Sequence, residues 1–311
     1  MIQPGRAETG DRMKIALSRY RKLAHGGIIR QQVDVSPTHR GNMMSFKQLS
    51  ALFLFLVSIP LAAEISISEE SINDAFSNRT GGCVFVDCLS TGTIRYNPQE
   101  TKSRFTPCST FKIWNTLIGL ELNLLSSPDA PFYKWDGESR PIQEWNRDLS
   151  LRDAFRVSCV PAFQGLAKSI GLRNMQHWLT LIHYGDCDIS SGIDDFWLPR
   201  EKKKSIQISA DEQAELIRRL LLGQLPFSKK SQLILKDIMA VAKTSRGTFY
   251  GKTGSGANIG GNPKQSLGWF VGYVNSGSKT YCFACLVRGE NLMGKDARGI
   301  VEAILKANGL L

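Results

Sequence analysis

Three segments near the carboxyl end switch the chain to a period of two: GTFYGKTGSG (247–256), QSLGWFVGYVNSG (265–277) and KTYCFACLVRG (279–289). Their alternation and their Tyr, Phe and Val content predict three antiparallel strands, the last two joined at NSGSK. Strands of this kind need further partners to cover one face. The remaining strand signal lies near the other end, where CVFVDC, STGT and IRYN (83–97) read as strand, turn, strand. Between these ends the pattern is helical. SEESINDAFSNRTGG predicts a short helix closed by Gly81 and Gly82. The stretch from Ser109 to about Asn123 predicts a helix, apolar almost all round and so buried. SLRDAFRVSC, PAFQGLAKSIG and LRNMQHWLTLIHYG predict three successive helices punctuated by Pro161, Gly171 and Gly185. Ser209 is an N-cap before an acidic first turn. SKKSQLILKDIMAVA and GKDARGIVEAILKANG predict two more helices, and 126–148 reads as a polar, aromatic loop. Strands at both ends with helices between them imply an α+β fold. One antiparallel sheet is built from the N- and C-terminal segments, with flanking helices and an inserted helical region at about 124–225.

The 311 residues carry a formal charge of +11, which invites a nucleic-acid reading until the charge is located. Residues 1–63 hold nine Lys/Arg against three Asp/Glu, which leaves +5 scattered over the rest. The one basic run, REKKK (200–204), reads as a solvated loop. No nucleic-acid partner is expected. Within 43–63, Lys47 precedes an uncharged apolar run from Leu49 to Leu61 and then Ala62 and Ala63. This is the pattern of a signal peptide. The run is short for a membrane span, although an uncleaved anchor is the alternative. Residues 1–42 read as a disordered extension or a mis-assigned start, and 64–311 as the folded catalytic domain. Export to the periplasm follows, with no stable membrane association after cleavage. All seven cysteines lie beyond the leader, and none has zinc-ligand spacing, so no metal is expected. Cys83 and Cys88 sit five apart in a strand and so face opposite sides.

Two short motifs carry chemistry. In PCSTFKIWN, Ser109 and Lys112 stand at i and i+3 on one helix face. The apolar surroundings disfavour the ammonium form of Lys112 and so make a neutral, basic amine possible. Ser276 and Lys279 share the spacing but lie in a turn, where nothing would bury the lysine. In GKTGSG, Lys252, Thr253 and Gly254 offer a cation, a hydroxyl and a residue without a side chain at one end of a strand. Enzymes that react with penicillins through a serine combine S-x-x-K with K-T-G. Between the two motifs, SCV (Ser158–Val160) supplies a third element, with valine where a polar residue would wet the pocket.

STFK, SCVP, YG, FWL and KTG, in that order, together with YKWDG, WNRDLSLRDAF and LGWFVG, resemble class D β-lactamases of the oxacillinase type. The resemblance covers residues 66–308 and implies the serine β-lactamase/transpeptidase fold. It implies that Ser109 is the acylated nucleophile and that Lys112 adds carbon dioxide to become a carbamate (N6-carboxylysine). That carbamate would be the general base for acylation and for hydrolysis, with no other cofactor. By the same resemblance Trp197 steadies the carbamate, Val160 and Leu198 keep it dry, and Ser158 passes a proton to the lactam nitrogen. Lys252, Thr253 and Arg298 bind the substrate carboxylate. The N–H groups of Ser109 and Ser255 form the oxyanion hole, with Gly254 beside them. The expected activity is β-lactam hydrolysis and antibiotic resistance by a monomer or homodimer. The alternative is a β-lactam sensor or penicillin-binding domain that acylates without efficient turnover. One departure is Asp186, in YGD, where the family has Asn. It either points into the site or caps a loop.

Overall fold

The computed structural model describes residues 67–311, apart from 91, 200–205, 258, 260, 261 and 263. The expected signal peptide and the basic run therefore lie outside the described residues. Eight strands are described: β1 (Gly81–Asp87), β2 (Thr93–Tyr96), β3 (Pro131–Tyr133), β4 (Leu149–Ser150), β5 (Ala240–Lys243), β6 (Gly247–Gly256), β7 (Ser266–Ser276) and β8 (Lys279–Gly289). The helices are α1 (Glu69–Phe76), α2 (Pro98–Lys102), α3 (Lys112–Glu121), α4 (Leu151–Arg156) and α5 (Val160–Ile170). They continue with α6 (Leu172–Ile182), α7 (Ala210–Leu221), α8 (Lys229–Met239) and α9 (Gly294–Ala307).

Six strands form one antiparallel sheet in the order β2-β1-β8-β7-β6-β5, so the two ends of the catalytic chain do meet in a single sheet. The central strands β7 and β8 are buried on both faces, and this explains why they read as near-continuous apolar runs. On one face α1 and α9 cover Phe85, Phe249, Phe270 and Phe283. On the other, α3 and the helices from α4 to α8 enclose a larger core around Trp114, Phe163 and Trp197. Local signals hold where capping decides. Ser209 and Glu212 make the reciprocal capping box of α7, and Ser68 and Ser228 cap α1 and α8.

Four boundaries differ from expectation. Gly81 and Gly82 do not close α1. That helix ends at Ser77, which takes the left-handed conformation, and the glycines open β1. The physical reason is proximity, since a β-carbon on Gly81 would lie 2.2 Å from the carbonyl oxygen of Leu286 in β8. The helix expected through Ala242 stops at Met239, and Ala240–Lys243 become edge strand β5. Within 126–148, Pro131–Tyr133 pair with Leu149–Ser150 as a two-stranded ribbon. The helix expected from Ser109 starts later, as described below. Gly81→Ala is expected to destabilise the fold by about 3 kcal/mol through overpacking, read as a lower urea midpoint with unchanged slope.

Candidate active site

Cys108–Phe111 form a 3₁₀ turn, and α3 begins only at Lys112. Cys108 has a left-handed backbone, φ 51°, which a continuous α-helix does not accommodate. The tighter winding has a chemical result: at three residues per turn, side chains i and i+3 eclipse. Lys112 Nζ is hydrogen-bonded to Ser109 Oγ at 2.8 Å. Lys112 has no exposed surface, and Ser109 retains 9%. Burial holds the Lys112 ammonium well below the ordinary lysine value, and the positive charge of Lys252 adds to the effect. The ring of Phe163 lies 5.3 Å from Nζ. Phe163, in α5, is a site residue that the sequence motifs did not mark. Its only signal is its place one helical turn after Val160.

The other elements converge on this pair. Ser158 occupies the turn between α4 and α5 with φ 57°, a strained setting for a residue with a β-carbon. Lys252, in β6, hydrogen-bonds Ser158 Oγ at 3.1 Å and the Thr253 carbonyl at 3.1 Å. Burial lowers the Lys252 value to about 7. The Lys252–Ser158 contact thus bridges K-T-G to S-x-V, while the Lys112–Ser109 contact lies within S-x-x-K. Trp197 is fully buried and stacks on Phe111 at 5.6 Å. Its Nε1 has no hydrogen-bond partner among the described residues. Leu198 joins the same apolar cluster, with Val160 packed against it.

Thr106 holds the assembly together, and the motifs did not mark it. Its hydroxyl donates to the Trp197 carbonyl at 3.1 Å, and its own carbonyl accepts from Trp269 Nε1 at 2.9 Å. One residue thereby ties the tryptophan loop and β7 to the segment that leads into Ser109. Gly254 is required by packing. A β-carbon there would lie 2.9 Å from the Pro107 carbonyl, so glycine lets β6 approach the turn that carries Ser109. The Ser255 hydroxyl accepts from the Gly294 N–H at 2.9 Å and anchors the start of α9.

A cavity of about 400 Å³ opens beside Lys252 and Thr253 and is also lined by Phe155, Arg152 and Arg298. Its lining stops short of Ser109 and Lys112. Arg298 donates to Glu302 at 2.7 Å, and Arg152 is paired with Asp129 and Asp237. Arg156, which also lines the cavity, is paired with Asp153, so each guanidinium there has a carboxylate partner, whereas Lys252 contacts a hydroxyl and a carbonyl. Asp186 does not enter the site. Its Oδ1 accepts from the N–H groups of Gln207 and Asp188 at 3.0 and 3.2 Å, so the acid caps a loop. Ser276 and Lys279 face each other at the β7–β8 turn, both half-buried, and the Ser276 hydroxyl donates to the Arg246 carbonyl at 3.1 Å.

The depressed value of Lys252 sets a pH dependence. Between about 7 and 10.5 the unfolded chain binds a proton at this residue that the folded chain does not. Stability from this group is complete above about 10.5 and is lost as pH falls toward about 7. The stability of Lys252→Met in urea should therefore rise by about 1 kcal/mol per pH unit less than that of the parent across that window, the remaining rise being due to Lys112.

Residues 74–307 match the family described as the penicillin binding protein transpeptidase domain. The chain is 36% identical to β-lactamase OXA-5 of Pseudomonas aeruginosa over 241 residues, 76% of this chain and 88% of that protein. Among solved structures, a class D β-lactamase from Bacillus subtilis superposes with a TM-score of 0.71 at 35% identity. That match covers 79% of this chain and 98% of the other. The C-terminal domain of the Bacillus licheniformis BlaR penicillin-receptor superposes equally well, at 0.71 and 31% identity, covering 78% and 95%. The chain therefore belongs to the penicillin-binding transpeptidase family, with class D β-lactamases as relatives in both sequence and fold.

Proposed function

We propose that this protein hydrolyses β-lactams through an acyl-enzyme on Ser109. The observation that carries the reading is a fully buried lysine amine 2.8 Å from a serine hydroxyl, in surroundings that suppress its charge. Ser109 Oγ attacks the lactam carbonyl and the lactam C–N bond breaks. The N–H groups of Ser109 and Ser255 receive the developing oxyanion. Ser158, held by Lys252, delivers the proton that the departing nitrogen takes up. Lys252, Thr253 and Arg298 receive the substrate carboxylate. Val160, Leu198 and Phe163 limit water around the lysine, and Gly254 keeps β6 against the nucleophile's turn.

Lys112 fits the carbamate that the family resemblance implies. A neutral amine can add carbon dioxide, and the buried Trp197 Nε1, which has no acceptor among the described residues, could donate to the group formed. Once present, the carbamate would supply a general base for both acylation and deacylation. Export to the periplasm, with removal of residues 43–63 as a signal peptide, completes the proposal. No helix among the described residues is long and apolar enough to cross a membrane.

The receptor-domain match favours a second reading, in which the same site acylates but scarcely turns over. Steady-state hydrolysis of a chromogenic cephalosporin by the purified chain separates the two. Sustained turnover is expected. A single burst with a lasting mass adduct on Ser109 would establish the sensor instead. A carbon-13 signal from labelled bicarbonate, lost in Lys112→Ala, is the expected sign of the carbamate. Trp197→Phe should keep acylation within about tenfold while slowing deacylation by about 10²-fold or more, measured by pre-steady-state burst kinetics.

A further inference from the structure

Four of the seven cysteines meet in two thiol pairs between β1 and β8, and the catalytic chemistry uses none of them. Cys83 stands directly opposite Cys285 in the ladder. The Arg288 N–H donates to the Thr80 carbonyl and the Cys88 N–H to the Thr280 carbonyl, both at 2.8 Å. These contacts place the hydrogen-bonded pairs at the even-numbered residues of β1. Cys83 and Cys285 therefore form a non-hydrogen-bonded pair, where opposing Cα atoms are about 4.5 Å apart and side chains converge. That separation lies inside the range of roughly 4.4–6.8 Å that a disulfide spans. Both thiols are fully buried on the face of the sheet covered by α1 and α9.

The second pair differs. Cys88, just beyond the end of β1, and Cys282 lie on the opposite face of the sheet. The residue opposite Cys282 is Val86, so this contact is diagonal. Diagonal neighbours lie roughly 7–8 Å apart, where bridging needs backbone movement.

We propose that Cys83 and Cys285 join β1 to β8 as a disulfide when the chain folds under oxidising conditions, while Cys88 and Cys282 remain a dithiol. The co-reactant is a small-molecule or protein disulfide. The thiolate of one cysteine attacks it, forming a mixed disulfide and releasing one thiol. The other cysteine then attacks the mixed disulfide and releases the second thiol. Two electrons and two protons pass from the cysteines to the oxidant. The exchange precedes docking of β1, because neither thiol is exposed afterwards.

The test uses the full chain isolated from an oxidising secretory compartment and denatured in an alkylating agent without reductant. Digestion and mass spectrometry should find five alkylated cysteines of the seven present. They should also find a peptide pair linking Cys83 to Cys285 that disappears on reduction. In Cys88→Ala/Cys282→Ala the same link should persist. Seven alkylated cysteines in the parent chain, or a link between Cys88 and Cys282, would overturn the proposal. So would loss of the Cys83–Cys285 link in the double variant.

Discussion

The site depends on a lysine amine deprived of water. Lys112 is fully buried against Phe163, with the hydroxyl of Ser109 as its close polar neighbour. An isolated ammonium there is costly, and a second cation at Lys252 raises the cost further. Both effects favour the neutral amine, which is the form the proposed carbamate needs. The apolar packing around it is therefore part of the chemistry and not only of the fold.

The two lysines have different settings. Lys252 lies on β6 beside a cavity, and its value near 7 leaves it able to carry charge when an anion arrives. Lys112 has no exposed surface, and burial together with the charge of Lys252 holds its ammonium well below the ordinary lysine value. Ser109 contacts one and Ser158 the other, so each hydroxyl has its own amine. This division suits a reaction that takes a proton from one serine and delivers a proton through another.

Holding these groups requires close approach of elements distant in the chain. Thr106 joins the Trp197 loop to β7. Gly254 brings β6 against the turn that bears Ser109. Left-handed backbone at Cys108 and Ser158 aims both catalytic segments, at a local cost of about 1–3 kcal/mol each that the surrounding core offsets. Asp186 shows the same dependence on context. Its carboxylate is spent on two backbone N–H groups, so a change of charge near the site leaves the pocket itself unaltered.

Periodicity alone determined the architecture. Alternating runs at both ends and helical runs between them left one antiparallel sheet with a helical insert as the solution. The motif spacings likewise marked Ser109, Lys112, Ser158 and Lys252, because each chemical group needs a particular side chain at a particular offset. Helix ends were legible where Ser209 and Glu212 cap locally. They were not legible at Gly81 and Met239, where contacts with remote strands decide the boundary. The 3₁₀ turn that eclipses Ser109 with Lys112 was also hidden. So were the role of Thr106, the packing need at Gly254 and the pairing of Cys83 with Cys285. Each of these arises between segments far apart in the chain, and only the folded arrangement brings them within contact distance.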